Sequence, residues 1–253
     1  MLEDVARMIN HATSAPPPLN IDEDVLFLDF DGTLVDIAPA PDAVRVPSHL
    51  GPLLATLHDT MDERIAILSG RTIPEIEEFL PDFDGTVIGH HGAQVRTNGQ
   101  HHDRVKPNEK LQAVAAEAAA WAEQTEGLLF ESKPYGFALH FRARPAKGAE
   151  VKRFLDDRCS TIDGIAVEGA KMAYEVKPSR INKGEALKWY LTEVANTDAA
   201  PVHVGDDHSD AAAFQTAKRL GGFGVHVGDG HPAARYVMPT PVDVRIWLTK
   251  ALS

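Results

Sequence analysis

Short apolar runs alternate with helical patterns over much of the chain, and this alternation constrains the fold more than any other feature. We expect strands at residues 25–29, 64–69, 86–89, 201–205 and 222–227. We expect helices at residues 48–61, 74–80 and 183–194, and a further one from residue 209. Buried strands separated by helices predict a parallel sheet covered on both faces, and therefore an α/β fold.

Polar residues directly follow three of the predicted strands. Asp29, Ser69 and Asp206 each stand where an apolar run ends. Ligands of open α/β sheets bind at the carboxyl ends of the strands. We therefore expect these three side chains to share one cleft.

The segment Asp29-Phe30-Asp31-Gly32-Thr33 places two carboxylates two positions apart, where the first strand gives way to a glycine turn. Strand alternation puts both acids on one face, so one can attack a substrate while the other handles a proton. A solvated turn is the competing interpretation of Asp and Gly in such a segment. A calcium loop is disfavoured, because Gly32 follows Asp31 directly and Ala40 stands where the closing Glu would be.

Two further segments carry groups suited to binding phosphate. Ser69 follows a buried strand and precedes Gly70, so its hydroxyl could bond a phosphate oxygen or simply cap the next turn. Lys183 lies in the first turn of a predicted helix, where the helix dipole disfavours a cation. Lysine and dipole together would attract an anion, although a solvent-exposed lysine is the alternative.

The fourth segment clusters carboxylates at a helix start, namely Asp206, Asp207 and Asp210. Acidic residues are common in a first helical turn. Beside Asp29 and Asp31, however, they would repel one another without a cation. A site made only of oxygen ligands suits Mg²⁺.

Residues 107–177 repeat a helix-strand-strand pattern twice, which predicts a four-stranded sheet with two helices on one side. We therefore divide the chain into an N-terminal extension at residues 1–24, a core at 25–106 and 178–253, and an inserted domain at 107–177. Period-two alternation puts Met172, Tyr174 and Val176 on the apolar face of the inserted sheet. The opposite face carries Glu131, Lys133, His140, Arg142, Glu168, Lys171 and Glu175. This polar face is either solvated or binds sugar hydroxyls and a phosphate.

Composition narrows the classes of partner. The net charge of −12, with no basic tract, argues against nucleic-acid binding. No run approaches the length of a membrane span, and the acidic amino terminus does not resemble a signal peptide. Cys159 is the only cysteine, which excludes an intramolecular disulfide. We expect a cytoplasmic monomer that acts on a small molecule.

These motifs resemble those of the haloacid-dehalogenase superfamily of phosphohydrolases. The superfamily-wide likeness lies in Asp29-Phe-Asp-Gly-Thr-Leu34, Ser69, Lys183 and Gly205-Asp-Asp-His-Ser-Asp210, in this order. A narrower likeness to trehalose-6-phosphate phosphatases lies in Gly89-His-His-Gly-Ala93, Leu139-His-Phe-Arg142, Glu175-Val-Lys-Pro178 and Asn182-Lys-Gly184. The chain departs from the family at Ala211–Ala213, where an acidic residue is usual. The resemblance implies a Rossmann-like parallel sheet core with an inserted α/β cap.

The resemblance also implies a mechanism. Asp29 would attack phosphorus and form an aspartyl-phosphate, while Asp31 would protonate the leaving sugar oxygen and then activate water. Ser69 and Lys183 would neutralise the transferring phosphoryl group. We expect Asp31 to be held protonated in the substrate complex by burial and a neighbouring carboxylate.

The ligand sets follow from the same resemblance. Mg²⁺ would bind Asp29, the backbone carbonyl of Asp31 and Asp206, with support from Asp207 and Asp210. The expected substrate contacts are Arg71, His91, Gly92, Glu131, Lys133, His140, Arg142, Lys171 and Glu175. Alternatives are a phosphatase for sucrose 6-phosphate or a mannosyl-phosphoglycerate, and a non-catalytic regulatory partner of a sugar-phosphate synthase.

Overall fold

The computed structural model describes residues 14–38, 43–106, 108–170 and 172–253. The chain divides into two compact units. The first unit runs up to Arg104 and resumes at Asn182, and the second comprises Val105–Ile181. Residues 1–13 of the expected N-terminal extension lie outside the described residues.

An eight-stranded sheet forms the middle of the first unit, which we call the core unit. Its strands are β1 Asp24–Leu28, β2 Ile65–Leu68, β3 Thr86–Gly89, β4 Gln94–Thr97, β5 Gln100–Asp103, β10 Ala200–Gly205, β11 Phe223–Val227 and β12 Tyr236–Met238. The spatial order is β12-β11-β10-β1-β2-β3-β4-β5. Strands β12 to β3 are parallel, whereas β4 and β5 pair antiparallel. The predicted α/β fold with a parallel sheet is confirmed.

Helices cover both faces of this sheet. They are α1 Leu50–Thr60, α2 Ile73–Phe79, α5 Lys183–Glu193, α6 Ala211–Arg219 and α7 Pro241–Lys250. Alternate residues of β1 explain the two layers, because successive side chains of a strand point to opposite faces. Leu26 and Leu28 pack in one apolar cluster with α1, α2 and α7, while Val25 and Phe27 pack in another with α5 and α6.

The sequence patterns did not predict β4, β5, β12 or α7. The turn of the β4–β5 hairpin is Asn98-Gly99, and both residues have positive φ, at 50° and 68°. Such a pair favours a tight hairpin turn. Strand β5 reads Gln-His-His-Asp and is exposed, so it has no apolar alternation by which to recognise it.

The second unit, which we call the cap unit, contains a four-stranded antiparallel sheet and two helices. Its elements are α3 Glu109–Glu123, β6 Leu129–Lys133, β7 Gly136–His140, α4 Gly148–Cys159, β8 Ile165–Ala170 and β9 Ala173–Pro178. The strand order is β6-β7-β9-β8. One apolar cluster joins Phe137, Leu139 and Val176 of the sheet to residues of both helices, as expected for helices on one side. The predicted helix-strand-strand repeat is confirmed.

Two residues of the predicted cap strands lie outside them. Met172 was expected on the apolar face, but it lies in the turn before β9 with φ 58° and is 42% exposed. Strand β7 ends at His140, so Arg142 is an exposed turn residue rather than part of the polar sheet face. The expected contact Lys171 lies outside the described residues.

Candidate active site

Three neighbouring parallel strands of the core unit bring the site residues together. Strands β10, β1 and β2 are adjacent, and they are followed by Asp206, Asp29 and Ser69 respectively. The backbone N–H of Asp29 donates to the Val204 carbonyl at 2.9 Å, which ties the end of β1 to β10. The expected shared cleft therefore exists at the carboxyl ends of these strands.

Asp29 is buried and paired with a lysine. The residue is 6% exposed, and its Oδ1 lies 2.9 Å from Lys183 Nζ. Burial raises the pKa of Asp29 well above its ordinary value, and the Asp210 carboxylate adds to this rise, while Lys183 opposes it. A buried acid in this state needs additional positive charge to be fully ionised.

Lys183 begins α5 and is almost entirely buried, with 1% exposure. The helix starts there because the Asn182 side chain accepts the Glu185 N–H at 2.9 Å. Lys183 Nζ also lies 2.8 Å from Asp210 Oδ1. Burial acts to lower the pKa of Lys183, but the carboxylates of Asp29 and Asp210 outweigh it and raise that pKa, so the lysine stays charged.

Asp29, Asp206 and Asp210 form a carboxylate cluster in which one oxygen of each residue lies within 4.8 Å of the other two. Burial, followed by the charges of Asp210 and Asp207, raises the pKa of Asp206 to about 6. Burial acts to raise the pKa of Asp210 too, but Lys183 and His203 outweigh it and hold that pKa below its ordinary value. Three oxygen donors at this spacing, two of them destabilised as anions, fit a hard divalent cation.

Asp207 makes different contacts from the other two acids of its segment. Its Oδ1 accepts from the Ser209 N–H at 2.7 Å and the Ser209 hydroxyl at 2.6 Å. Its own N–H donates to Asp210 Oδ2 at 3.1 Å, which completes a capping box at a short 3-10 helix. The Asp207 carboxylate thus shapes the loop and does not join the three-acid cluster.

Asp31 faces a guanidinium group. Arg71 Nε donates to Asp31 Oδ2 at 2.6 Å, and Arg71 Nη2 donates to Oδ1 at 2.8 Å. The Asp31 side chain is 34% exposed. Arg71 is itself held by stacking on Phe79 at 5.0 Å and by Glu75 at 3.4 Å. Without substrate, Asp31 therefore faces a cation, and the burial and neighbouring carboxylate that we expect in the substrate complex stay a prediction.

Position 32, between Asp31 and the acidic cluster, requires a glycine for two reasons. Its φ of 75° is left-handed, a conformation that costs most side-chain-bearing residues free energy. A Cβ at this position would lie 2.1 Å from Asp206 Oδ2. Both constraints make this glycine part of the site's geometry.

The cleft above these residues has a volume of about 510 Å³. Its lining includes Asp29, Asp31, Ser69, Arg71, His91, Lys183, Asp206 and Asp207. His91 adopts φ 55° and lies against Gly70, where a Cβ would meet the imidazole at 2.6 Å. Gly92 packs against Ala186, because a Cβ added at Gly92 would lie 2.7 Å from the Ala186 Cβ. Its expected contact with substrate stays a prediction.

The polar face of the cap sheet is crossed by ion pairs between strands. His140 Nε2 lies 2.7 Å from Glu131, Lys133 lies 3.4 Å from Glu175, and Lys177 lies 2.8 Å from Glu168. Four of the expected substrate contacts, Glu131, Lys133, His140 and Glu175, thus lie on one sheet face and pair with one another. The face offers hydrogen-bonding groups of both signs.

Two residues that sequence reasoning missed contact the carboxylate cluster. His203 Nε2 lies 2.7 Å from Asp210 Oδ1, and the Thr33 hydroxyl donates to Asp206 Oδ1 at 3.3 Å. The signal for His203 was a polar residue at the centre of the apolar run 201–205. Thr33 directly follows the motif's glycine.

The parallel core, the inserted four-stranded unit and the acid–lysine site together fit a phosphohydrolase. A model of the trehalose-phosphatase family matches residues 27–233. The chain belongs to this family, and it is a phosphoric monoester hydrolase.

Individual relatives agree with this assignment. The chain is 32% identical over 227 residues to a probable trehalose-phosphate phosphatase of Sinorhizobium fredii, covering 88% of this chain and 84% of the relative. It is 32% identical over 224 residues to the trehalose-6-phosphate phosphatase of Escherichia coli, with the same two coverages. The fold is similar to that of the Aspergillus fumigatus trehalose-6-phosphate phosphatase, with a TM-score of 0.77, 24% identity, and coverage of 95% and 98%. Within the described residues, no helix combines the length and apolar character needed to cross a membrane.

Proposed function

We propose that this phosphatase hydrolyses trehalose 6-phosphate to trehalose and inorganic phosphate through an aspartyl-phosphate at Asp29. The substrate is proposed from the family and from the names of its relatives. The observation that carries the mechanism is Asp29 itself, buried at the carboxyl end of β1 with Lys183 Nζ 2.9 Å from its Oδ1. This arrangement holds a nucleophile at a fixed point on the cleft wall.

In the first half-reaction, an Asp29 carboxylate oxygen forms a bond to phosphorus while the bond from phosphorus to the sugar oxygen breaks. Lys183 holds Asp29 in place and offsets negative charge as it spreads over the phosphoryl oxygens. Ser69, buried at the end of β2, supplies a hydroxyl to the same group. In the second half-reaction, water attacks phosphorus and releases Asp29 and phosphate.

Asp31 is the proposed acid and base. It donates a proton to the leaving sugar oxygen, and in the second half-reaction it accepts a proton from the attacking water. Arg71 occupies both oxygens of Asp31, at 2.6 and 2.8 Å. Each carboxyl oxygen has a second lone pair, so these contacts orient Asp31 and still leave a position for the transferred proton. The same guanidinium lies at the cleft, where it can also bind the anionic substrate.

Mg²⁺ is the proposed metal, held by Asp29, the backbone carbonyl of Asp31 and Asp206, with Asp210 beside them. The raised pKa values of Asp29 and Asp206 support this proposal, because a cation would stabilise the ionised acids. When bound, such an ion neutralises charge on the phosphoryl oxygens. Asp207 contributes by shaping the loop that presents Asp206.

The cap residues Glu131, Lys133, His140 and Glu175 are the proposed sugar contacts. Their mixed charges suit a ligand rich in hydroxyl groups. Roles for Arg142 and Lys171, the cytoplasmic location and the monomeric state remain predictions from the sequence.

Phosphate release from a panel of esters tests the proposed substrate. The panel is trehalose 6-phosphate, sucrose 6-phosphate and a mannosyl-phosphoglycerate, each with Mg²⁺ and with a chelator. We expect kcat/KM for trehalose 6-phosphate to exceed the others by about 10-fold or more. An Asp29→Asn protein purified in parallel measures contaminating phosphatases. Preference for another ester would reject the substrate, and inactivity on all esters with tight binding to another protein would indicate a regulatory role.

A further inference from the structure

His203 is a polar side chain inside an apolar layer of the core unit. It lies on β10 between Val202 and Val204, which face the opposite layer, and the structure buries it completely. Its ring packs on Phe214 with the two centroids 5.3 Å apart. An imidazole buried without a hydrogen bond would destabilise the fold. The polar partner of this ring therefore indicates what the residue does.

That partner is Asp210, whose Oδ1 lies 2.7 Å from His203 Nε2. An ionised carboxylate has only lone pairs to offer, so Nε2 carries a proton and donates it. The same Oδ1 accepts from Lys183 Nζ at 2.8 Å, and Oδ2 accepts from the Asp207 N–H at 3.1 Å. Three donors from three elements therefore fix the plane of this carboxylate.

We propose that His203 is a positioning residue of the phosphatase reaction: by fixing the Asp210 carboxylate, it fixes Lys183 Nζ where the lysine meets Asp29. His203 is not among the residues that line the cleft. It acts through Asp210, which connects the interior of β10 to the start of α5. This inference rests on the proposed function and adds a residue to its machinery.

Loss of the His203 donor would loosen the Asp210 carboxylate while all the other side chains of the site remain. With no proton at Nε2, the Asp210 Oδ1 would keep only Lys183 as a partner, and the carboxylate could rotate about its Cβ–Cγ bond. Lys183 would then lose its fixed position between two acids. A misplacement of about 1 Å in catalytic geometry can slow turnover by about 100-fold. Because the sugar contacts would remain, we expect kcat to fall more than KM changes.

Three variants separate positioning from general destabilisation. His203→Leu removes the donor, and His203→Gln offers an amide N–H that can reach the place of Nε2. Val202→Ala, on the same strand but in the opposite layer, removes packing without touching Asp210. Turnover is measured on the best ester, Mg²⁺ affinity by calorimetry without substrate, and Tm for all three.

We expect His203→Leu to lower kcat by about 10-fold or more, since a charge-assisted hydrogen bond is lost. We also expect it to weaken Mg²⁺ binding by about 3-fold or more, because Asp210 belongs to the carboxylate cluster. His203→Gln should recover most of both properties. Val202→Ala should lower Tm and leave both properties near wild type. Equal losses in His203→Leu and Val202→Ala, or no rescue by Gln, would overturn the proposal.

The wild-type protein gives a test that does not depend on variant folding. Nitrogen-15 NMR of the imidazole should show His203 with its proton on Nε2, protected from exchange with water. A proton on Nδ1 alone would overturn the proposal. If the wild type hydrolyses no ester, the proposed function fails, whereas the tautomer and the Mg²⁺ affinities still decide whether His203 fixes Asp210.

Discussion

Replacement of Lys183 by methionine tests how strongly the buried acids depend on their lysine. Methionine keeps much of the side-chain volume and removes the charge. The variant leaves Asp29 and Asp210 without the contacts that Lys183 Nζ makes at 2.9 and 2.8 Å. We expect lower stability and a large loss of turnover.

The magnitude follows from burial. Removal of one partner of a buried ion pair typically costs about 3–5 kcal/mol, because the remaining charge stays buried. Asp29 and Asp206 already have raised pKa values, so proton uptake offsets part of this cost. The lower end, about 3 kcal/mol, is therefore our expectation. For a chain of this size it corresponds to a fall in Tm of about 6–12 °C.

Thermal unfolding without metal, at about pH 8 and about pH 5, measures this effect. The loss should be larger at the higher pH, where the unpaired carboxylates are more ionised. Lys188→Met is the matched control, because Lys188 is an exposed lysine on the same helix. It should stay within about 0.5 kcal/mol of wild type. Equal Tm values for the two variants would refute the reasoning.

Three further predictions concern the turn and the acids. Gly32→Ala should weaken Mg²⁺ binding and turnover, because its Cβ would meet Asp206 at 2.1 Å, whereas Gly99→Ala, with φ 68° and open space, should only lower Tm. Burial raises the pKa of Asp206 from 3.8 to about 6, so the folded protein holds this acid neutral. The stability that the neutral acid contributes is fully present below about pH 4 and is lost as the pH rises through 6. Titration calorimetry should therefore show tighter Mg²⁺ binding at about pH 7.5 than at about pH 5, and equal affinities would contradict this. Asp31→Asn should slow a sugar phosphate far more than an aryl phosphate, whose leaving group needs little protonation, and equal losses in a steady-state assay would reject Asp31 as the acid.

Much of the fold and the centre of the site could be predicted from local sequence patterns. The apolar runs that form β1, β2 and β10 are short and bounded by polar residues, so both their strand character and their ends could be predicted. Parallel strands end at the same edge, which is why Asp29, Ser69 and Asp206 could be expected together. The cap sheet followed from alternation in the same way, apart from its turns at Met172 and Arg142.

Contacts between distant side chains could not be predicted. Arg71 reaches Asp31 across 40 positions, and which guanidinium meets which acid depends on the rotamers at the ends of β1 and β2. His203 looked like one polar residue in an apolar strand until the packing of α6 placed Asp210 beside it. The loop-shaping role of Asp207 could have been predicted, because Asp is a preferred N-cap residue and another acid, Asp210, follows three positions later, as in a capping box.

Covalent trapping at Asp29 tests the central claim most directly. The wild-type protein is quenched during turnover of its best sugar phosphate, and the peptides are searched by mass spectrometry for a phosphoryl group on the Asp29 carboxylate. We expect the adduct on this residue in the wild type and none in Asp29→Asn, with turnover of the variant reduced by about 1000-fold or more. An adduct on another residue, or an Asp29→Asn protein that turns over at the parental rate, would contradict the account.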